Sequence, residues 1–369
     1  NWPALMRFKK SFTEPVPKNR ETGFSRAGID MFHGRARFVG PTSIKVEDDT
    51  LNGRYVLIAT GAMPVKLNIP GEEYITTSEK FLELDRLPRK IVFIGGGYIS
   101  FEFAHITARA GAEVCILHRS DRPLKGFDPD LVNRLLEATR DIGVDVRLNT
   151  AVTAIEKDSN NLIVSTSAGN FKADMVVHGG GRVPEIDDLE LEKADVNSDI
   201  KRGILVNEFL QSVSNPTVYA AGDAAATEGL PLTPVATLEG HAVASNLLKG
   251  NHKTPDYTGV PSVVFTIPPL ASVGLHEKAA RERGLKFRII QGDTSSWYSS
   301  RRVGMKYSGF KTLVEEGSNR ILGAHLLGPQ AEEVINLFAV AIRKGLRSDD
   351  MKAMVYAYPT SSSDISYMV

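Results

Sequence analysis

The sequence predicts an α/β fold in which a parallel sheet is followed by a smaller mixed α+β region. Residues 90–118 run as a buried strand, a glycine turn, a helix and a second buried strand. Such a unit of about 30 residues implies parallel strands that are covered on both faces. Turns at Pro255 and Pro261 then mark a domain boundary near residue 253, after which short strands alternate with helices. The 369 residues are enough for two or three such domains.

The composition disfavours several classes of protein. The chain carries 44 Lys and Arg against 44 Asp and Glu, and this balance argues against a partner such as nucleic acid or an anionic membrane. Its most apolar helical stretch, near Val334–Ile342, is far shorter than the roughly 20 residues that cross a bilayer. A single cysteine, Cys115, cannot form an internal disulfide or a CxxC pair, so we expect a cytoplasmic protein. The eight histidines show no metal-ligand spacing, and we expect His105 and His241 to be packed within helices.

The first elements are predicted from short patterns. Lys9–Thr22 is basic, contains prolines and follows neither a helical nor a strand period, so we predict an exposed connection. Ile29–Val46 is typical of short strands interrupted by glycine and proline. Arg54–Ala59 is a compact apolar run that predicts a buried strand entering a turn at Thr60-Gly61. Pro64–Gly71 is rich in turn residues and predicts a linker.

The central segment has the clearest pattern. Lys90–Ile94 and Glu113–His118 predict buried strands, and Tyr98–Ala110 predicts the helix between them. Asp128–Ile142 predicts an amphipathic helix, because its apolar residues recur near one face. The next four runs predict strands, three of them in an antiparallel meander: Asp145–Leu148, Ala151–Lys157, Asn161–Ser167 and Ala173–His178. Later predicted strands are Thr217–Ala221, Val263–Thr266, Phe287–Gln291, Phe310–Glu315 and Ile321–Leu327. Later predicted helices are Thr233–Leu248, Glu277–Arg283, Ala331–Lys344 and Ser348–Met354.

The turn between the two central strands indicates a dinucleotide site. Gly95-x-Gly97-x-x-Ser100 follows a predicted strand and opens a helix. The first glycine permits a tight turn, the second lets a pyrophosphate approach the backbone, and the third position needs only a small residue. N–H groups at the helix N-terminus favour the anion. The alternative is an ordinary strand-to-helix turn without a ligand, since glycine joins strands to helices in many proteins.

The end of the second central strand bears on the choice between NADH and NADPH. An NAD site places Asp or Glu there to bind the ribose 2′-hydroxyl. This chain instead has His118-Arg119, followed by Arg122 and Lys125, and Asp121 lies in the loop. Cations suit a 2′-phosphate, so we predict NADP rather than NAD. The alternative is that these residues are solvated loop charges.

These motifs resemble the pyridine nucleotide–disulfide oxidoreductase family, which includes glutathione reductase, dihydrolipoamide dehydrogenase and mercuric reductase. The stretch Ile94–Asp128 is most similar to glutathione reductase, through its GxGYIxxE pattern and the basic residues Arg119 and Lys125. Further similar motifs are Ala59-Thr60-Gly61, Gly181-Arg182-Val183-Pro184, Ala221-Gly222-Asp223-Ala224 and Ile321–Pro329. The resemblance covers essentially the whole chain. It implies Rossmann-like FAD- and NAD(P)-binding domains and an α+β C-terminal dimerisation domain.

The resemblance implies roles around the first glycine turn. Gly95, Gly97 and Ile99 would bind the nicotinamide cofactor, and Tyr98 would cover the nicotinamide pocket beside the flavin. Glu102 would be the helix carboxylate near the flavin, and positions i and i+4 do share a helix face. From the residues alone, a packed aromatic at Tyr98 and a solvated charge at Glu102 are the alternatives.

The resemblance also implies FAD contacts. Asp223 would hydrogen-bond the ribityl chain, and its alternative is a helix N-cap. The segment from Thr233 to Ala236 would open a helix whose N-terminus stabilises negative charge on the reduced flavin. The remaining cofactor-binding residues implied are Thr60, Gly61, Gly181 and Gly222. The implied domains are a partial FAD-binding domain (1–84 and 204–252), an NAD(P)H-binding domain (85–203) and an interface domain (253–369) that forms a homodimer.

Two departures concern the start of the chain. The family begins with another glycine-rich strand-turn-helix for FAD, and this sequence shows no such motif before Gly95. The family's CxxxxC redox pair lies in the same early part, and so does the lysine that pairs with the residue equivalent to Glu102. We therefore expect either that a preceding segment belongs to the protein or that the redox thiols never existed in it.

A third departure lies near the C-terminus. The family has a His-Pro-Thr motif followed by Glu, which acts as an acid/base pair in thiol chemistry. Here Tyr358 stands in place of the histidine, Ser363 stands where Glu is expected, and Asp364 is one residue out of register. A tyrosine with an ordinary pKa of about 10 is poorly matched to base catalysis at neutral pH. The alternative for Tyr358 is an aromatic packed at an interface.

Two functions remain open from the sequence. The first is an FAD-dependent NAD(P)H oxidoreductase that passes hydride from NADPH to flavin and then to a small-molecule acceptor, with Tyr98, Glu102 and Tyr358 as catalytic candidates. The second is a flavin-free, non-catalytic, NADP-binding dimeric protein or fragment.

Overall fold

The computed structural model describes residues 1–159 and 161–369. Their α-helices are α1 (Trp2–Thr13), α2 (Pro15–Arg26), α3 (Ser78–Leu82), α4 (Tyr98–Arg109), α5 (Pro129–Asp141), α6 (Thr233–Lys249), α7 (Glu277–Glu282), α8 (Tyr298–Arg301), α9 (Ala331–Lys344), α10 (Ser348–Ala353) and α11 (Ile365–Met368). Their strands are β1 (Ala36–Gly40), β2 (Ser43–Val46), β3 (Asp49–Asn52), β4 (Val56–Ile58), β5 (Ala62–Pro64), β6 (Lys90–Ile94), β7 (Glu113–Leu117), β8 (Asp145–Arg147), β9 (Val152–Asp158), β10 (Asn161–Thr166), β11 (Gly169–Ala173), β12 (Met175–His178), β13 (Arg182–Pro184), β14 (Ser198–Asp199), β15 (Gly203–Ile204), β16 (Val218–Ala220), β17 (Ser262–Val264), β18 (Leu270–Gly274), β19 (Phe287–Asp293), β20 (Gly309–Glu315) and β21 (Ile321–Leu327).

The chain forms two compact units, each assembled from two stretches of sequence. The first unit contains Asn1–Val65 and Arg182–Tyr257, and the second contains Lys66–Gly181 and Thr258–Val369. The division into three domains stays a prediction. Its boundaries differ from those of the units, because residues 66–84 lie in the second unit and residues 182–203 lie in the first.

The first unit is built around a short parallel pair of strands. β4 pairs in parallel with β16, and β1, β2 and β3 form a separate antiparallel sheet. The core of this unit is apolar and buried, and it includes Phe38, Ile58, Ile204, Val218 and Ala220. β5 pairs antiparallel with β13, which brings the Thr60-Gly61 turn beside the segment that follows Gly181 in the sequence.

The N-terminal segment corrects one expectation. Lys9–Thr22, predicted as an irregular connection, lies within α1 and α2, although most of it is exposed as expected. Asn1 caps α1, its side chain accepting a hydrogen bond from the N–H of Ala4 at 3.1 Å. The helical period is hidden because apolar side chains lie on two faces of α1. Trp2 and Met6 are buried, whereas Phe8 and Phe12 are exposed.

The parallel sheet of the second unit has the strand order β12-β6-β7-β8. β6, α4 and β7 form the strand-helix-strand unit that the sequence predicts, which confirms the α/β fold. The antiparallel meander is also present, as β9-β10-β11. Its third strand is β11, and the predicted strand Ala173–His178 is divided, because Met175–His178 joins the parallel sheet beside β6.

The C-terminal part of the second unit is a five-stranded antiparallel sheet in the order β17-β18-β21-β20-β19. α9 packs against it, and Ile335 and Phe338 of that helix are fully buried. β18 (Leu270–Gly274) was not predicted, because its small residues lack the usual strand composition. Among the described residues, no helix combines the length and apolar character that a membrane span requires.

Candidate functional site

The glycine turn after β6 has the geometry of a nucleotide-binding turn. Gly95 has φ of +108°, and a Cβ there would lie 2.1 Å from the carbonyl oxygen of Gly179, so only glycine fits. A Cβ on Gly96 would lie 2.7 Å from the His118 ring, so a position that the motif leaves free is also restricted to glycine. Gly97 is the N-cap of α4 and has ordinary space for a Cβ, 3.6 Å from the nearest atom. Ile99 follows, half-buried in the first turn of α4.

Ser100 is the small residue that the motif requires. It is fully buried, and its Oγ would lie 2.0 Å from a Cβ placed on Gly179. This close approach lets α4 pack against the segment after β12, and Gly179 N donates to Ile94 O at 2.8 Å. Within residues 1–159 and 161–369, the Ser100 hydroxyl finds no hydrogen-bond partner. Gly181 ends the same segment, exposed and with φ of +121°.

The loop between β7 and α5 carries the predicted cations. Arg119 and Lys125 are exposed, and Arg122 is half-buried. The His118 side chain donates from Nε2 to the Arg122 carbonyl at 3.0 Å, and Leu124 N donates to Gly96 O at 2.8 Å. Burial lowers the pKa of His118, and the positive charges of Lys125 and Arg119 add to this effect. The basic side chains therefore lie close to the glycine turn and to one another.

Tyr98 and Glu102 occupy successive turns of α4. Tyr98 is 52% exposed, so it is not the packed core aromatic that was the alternative. Glu102 is half-buried, and its Oε1 accepts a hydrogen bond from Phe265 N at 2.9 Å, so it is not a freely solvated charge. Burial raises the pKa of the Glu102 carboxyl. Their roles in catalysis stay predictions.

The same face of α4 holds the segment before β18. The His105 ring is buried, its Nδ1 accepting from Ile267 N at 3.2 Å and its Nε2 lying 3.0 Å from Thr139 Oγ1. Arg109 donates to the Ile267 carbonyl at 3.2 Å. His105 is thus packed within its helix as expected, whereas His241 is exposed, and the expectation for it was wrong. Sequence alone could not show the His105 contacts, because the two segments lie far apart in the chain.

In the first unit, two predicted motifs meet at one edge of the parallel pair. Thr60 and Gly61 follow β4, and Gly222 and Asp223 follow β16. Ala221 N donates to Ile58 O at 3.1 Å, which joins the two strand ends. Carboxyl ends of parallel strands are where α/β folds place ligands. Among the described residues, no protein group donates a hydrogen bond to the half-buried carboxylate of Asp223.

Glu239 is a buried residue of this edge that sequence reasoning missed. It is 1% exposed, and its carboxylate accepts hydrogen bonds from Gly222 N at 2.6 Å, Thr227 Oγ1 at 2.8 Å and the Tyr257 hydroxyl at 2.7 Å. These bonds fix the turn that carries Asp223 against α6. A single glutamate in a helix gives no sequence signal for such a role.

The N-terminus of α6 is available to a ligand. Thr233 is exposed and Ala236 is half-buried, and no side chain among the described residues caps this end of the helix. A Cβ on Gly222 would lie 3.2 Å from the Ala236 Cβ, so the Asp223 turn and the start of α6 are adjacent. The two FAD-binding segments that the resemblance implies are therefore brought together within this unit.

In the C-terminal motif, Tyr358, Asp364 and Ser363 each contact a different residue, and a catalytic role for Tyr358 stays a prediction. Tyr358 is 78% exposed, and its ring lies 6.4 Å from that of Tyr298. Asp364 accepts a hydrogen bond from the Ser299 hydroxyl, and burial raises the pKa of this carboxyl. Ser363 donates to the carbonyl of Thr360 at 2.6 Å. Among the described residues, no group of histidine, cysteine and acidic side chains could hold a metal ion.

Two family models match the chain. One describes a pyridine nucleotide-disulphide oxidoreductase and matches residues 9–240. The other describes the dimerisation domain of the same family and matches residues 260–369. Together they account for the two-part organisation seen in the sequence.

Individual proteins are similar over most of the chain. Glutathione reductase of Burkholderia cepacia is 35% identical over 366 residues, which are 99% of this chain and 81% of that protein. An uncharacterized 19.7 kDa protein in the mercuric resistance operon of Staphylococcus aureus is 50% identical over 181 residues, which are 49% of this chain and 100% of that protein. The HOCl-induced flavoprotein disulfide reductase RclA from Escherichia coli has a structure that matches with a TM-score of 0.91 at 27% identity, over 98% of this chain and 84% of that one. The chain thus belongs to the pyridine nucleotide-disulphide oxidoreductase family.

Proposed function

We propose that this protein is an FAD-dependent, homodimeric oxidoreductase that takes its electrons from NADPH. The observation that carries the choice of nucleotide is the Gly95 turn with the basic loop beside it. The loop presents Arg119 and Lys125 to solvent and has no carboxylate at the strand end, as a 2′-phosphate requires. The matched dimerisation model supports the homodimer.

The residues of α4 would hold the nicotinamide nucleotide. The pyrophosphate would bind the N–H groups at the start of α4, next to Gly95 and Gly97, where the helix dipole favours an anion. The exposed Tyr98 ring would cover the nicotinamide, and Glu102 would hold the Phe265 backbone in place. Bound FAD would supply the hydride acceptor and the onward electron transfer that this chain's side chains cannot supply.

The first unit fits FAD in two respects. Asp223 presents a carboxylate with acceptor capacity that no described protein group uses, which suits a ribityl hydroxyl. The uncapped start of α6 suits a flavin ring that becomes negative on reduction. Thr60, Gly61 and Gly222 would line the same edge. We propose residues 1–84 with 204–252, 85–203 and 253–369 as the FAD, NADPH and interface domains.

We further propose an acceptor other than glutathione disulfide. A thiol-disulfide reaction at this site needs a base near neutral pH, and Tyr358 with its exposed phenol is a poor one. The nearby carboxylate that could assist such a base, that of Asp364, accepts a hydrogen bond from the Ser299 hydroxyl instead. If the proposal holds, Tyr358→His raises turnover with a panel of disulfides from a low level. Strong disulfide turnover that is equal before and after the change would refute it.

The nucleotide proposal is tested by anaerobic flavin reduction with NADPH and with NADH. Arg119→Glu should slow reduction by NADPH by about 100-fold, because an attraction becomes a repulsion, and should change reduction by NADH by less than about threefold. Arg86→Glu is the matched control, since Arg86 is an exposed arginine that precedes the opposite end of β6. Equal losses with both nucleotides would reject Arg119 as a phosphate contact. Protein that is purified without a flavin absorption band, yet binds NADPH, would favour the non-catalytic alternative.

A further inference from the structure

The basic loop is anchored unevenly along its length. Its first half is tied to the nucleotide domain by the His118–Arg122 and Leu124–Gly96 hydrogen bonds described above. Its second half, which carries Lys125, borders a surface pocket of about 550 Å³. Arg122, Lys125 and Phe127 line this pocket together with residues of α7. The His276 side chain hydrogen-bonds to the Gly126 backbone, and Phe127 N donates to Leu124 O at 2.9 Å. The position of this half depends on these contacts and on where its last residues are fixed.

The loop ends at Asp128, which an ion pair ties to the C-terminal sheet. Asp128 is 1% exposed and caps α5, its Oδ1 accepting from Asp130 N at 3.1 Å and from Leu131 N at 3.3 Å. Its Oδ2 lies 2.9 Å from Nζ of Lys311, on β20. Lys311 is itself buried and also pairs with Asp130. Two residues, Gly126 and Phe127, therefore separate the cation at Lys125 from a buried ion pair.

A histidine pair lies beside the same anchor. His276 lines the pocket with Asp128, and its ring stacks on that of His325 at 4.4 Å. His325 is fully buried, held by Ser272 Oγ at 2.8 Å and by the Leu275 carbonyl at 3.2 Å. The side of the anchor that faces the C-terminal sheet is thus rigid. A rigid support is what a buried ion pair needs in order to hold one geometry.

We infer that Lys311 is a positioning residue that sets the preference for the 2′-phosphate, by holding Asp128 and through it the loop segment that carries Lys125. Lys311 is buried, so it acts on the nucleotide only through Lys125. The inference rests on the proposed NADPH site. It adds that selectivity for the nucleotide depends on the C-terminal sheet, outside the nucleotide-binding motif.

The test measures the dissociation constants of adenosine 2′,5′-bisphosphate and adenosine 5′-monophosphate by calorimetry, so it needs neither flavin nor an electron acceptor. Lys125→Ala should lower the preference for the bisphosphate by about three- to tenfold, the effect of one exposed charge-assisted contact. Lys311→Met should lower it by a similar factor while leaving monophosphate binding within about twofold. The double variant Asp128→Asn/Lys311→Met should lower the preference for the bisphosphate by the same factor. Because it removes both charges of the buried Asp128–Lys311 pair, it leaves no unpaired buried charge there and is less prone to unfold than Lys311→Met alone.

The decisive step is a double-mutant cycle. In the Lys125→Ala background, Lys311→Met should change the preference no further, because the cation that it positions is gone. The matched control is Lys306→Met, which removes an ion pair with Asp141 at the other end of α5 and should leave the preference unchanged. A further loss in the Lys125→Ala background, or an unchanged preference in both Lys311 variants, overturns the inference alone. A wild-type protein that binds the two ligands equally overturns the proposed NADPH preference and this inference with it.

Discussion

Replacing Glu239 by alanine tests the buried network that supports the proposed FAD site. The change leaves three donors without their acceptor: Gly222 N, Thr227 Oγ1 and the Tyr257 hydroxyl. At about 1 kcal/mol net for each hydrogen bond, the free energy of unfolding of the first unit should fall by about 3 kcal/mol. With a slope of about 2–3 kcal/mol per molar urea, the midpoint should shift down by about 1 M. Glu239→Gln keeps one acceptor oxygen and should lose about half as much.

The chain offers a convenient probe for this measurement. It contains two tryptophans, Trp2 in the first unit and Trp297 in the second. A Trp297→Phe background leaves the buried Trp2 as the reporter of the first unit. Glu228→Ala is the control, because Glu228 is an exposed carboxylate in the same loop and its loss should cost less than about 0.5 kcal/mol. A loss below about 1 kcal/mol for Glu239→Ala would refute the view that this network holds the turn.

Three further predictions concern the second unit. Gly179→Ala should lower the stability of the unit in urea titrations, because the new Cβ would lie 2.0 Å from Ser100 Oγ. Adding Ser100→Ala should restore part of the lost stability, since the next nearest atom is 3.2 Å from that Cβ. A double variant as unstable as Gly179→Ala would contradict the packing described. Burial raises the pKa of the Cys115 thiol to about 12, so iodoacetamide should alkylate it slowly at neutral pH in native protein and rapidly in urea. Burial lowers the pKa of His105 to about 3, so as the pH falls this side chain is protonated in the unfolded state before it is protonated in the folded state. The free energy of unfolding should therefore fall as the pH drops below about 6.5. The fall between pH 7 and pH 4 should be smaller for His105→Asn than for the wild type.

The strand-helix-strand unit was predictable because its signals are local. Ile91–Ile94 is an apolar run that favours burial, and the glycines that follow it favour a tight turn. The predicted β6 and the start of α4 agree with the structure to the residue. The helix predicted from Asp128 also agrees, since Asp128 is its N-cap and Pro129 its first residue.

What could not be predicted depends on contacts between distant segments. Glu239 and Lys311 look like ordinary helix and strand charges, and only the fold shows that each is buried against partners elsewhere in the chain. β18 was not predicted because residues such as Ala271 and Ser272 have no strand preference. In the structure this strand is paired on both edges, with β17 and β21. α2 was missed because it is exposed along its length, so no apolar stripe marks it.

The pairing of β4 with β16 has a consequence for how the protein is made. The two strands form one parallel pair, but residues 59–217 separate them in the chain. A ribosome adding about 5–20 residues per second needs roughly 10 to 30 s to make that interval. During this time β4 lacks β16, its partner among the described residues, while the parallel sheet around β6 can already form. Nascent chains of this protein should therefore depend on chaperones until β16 is complete.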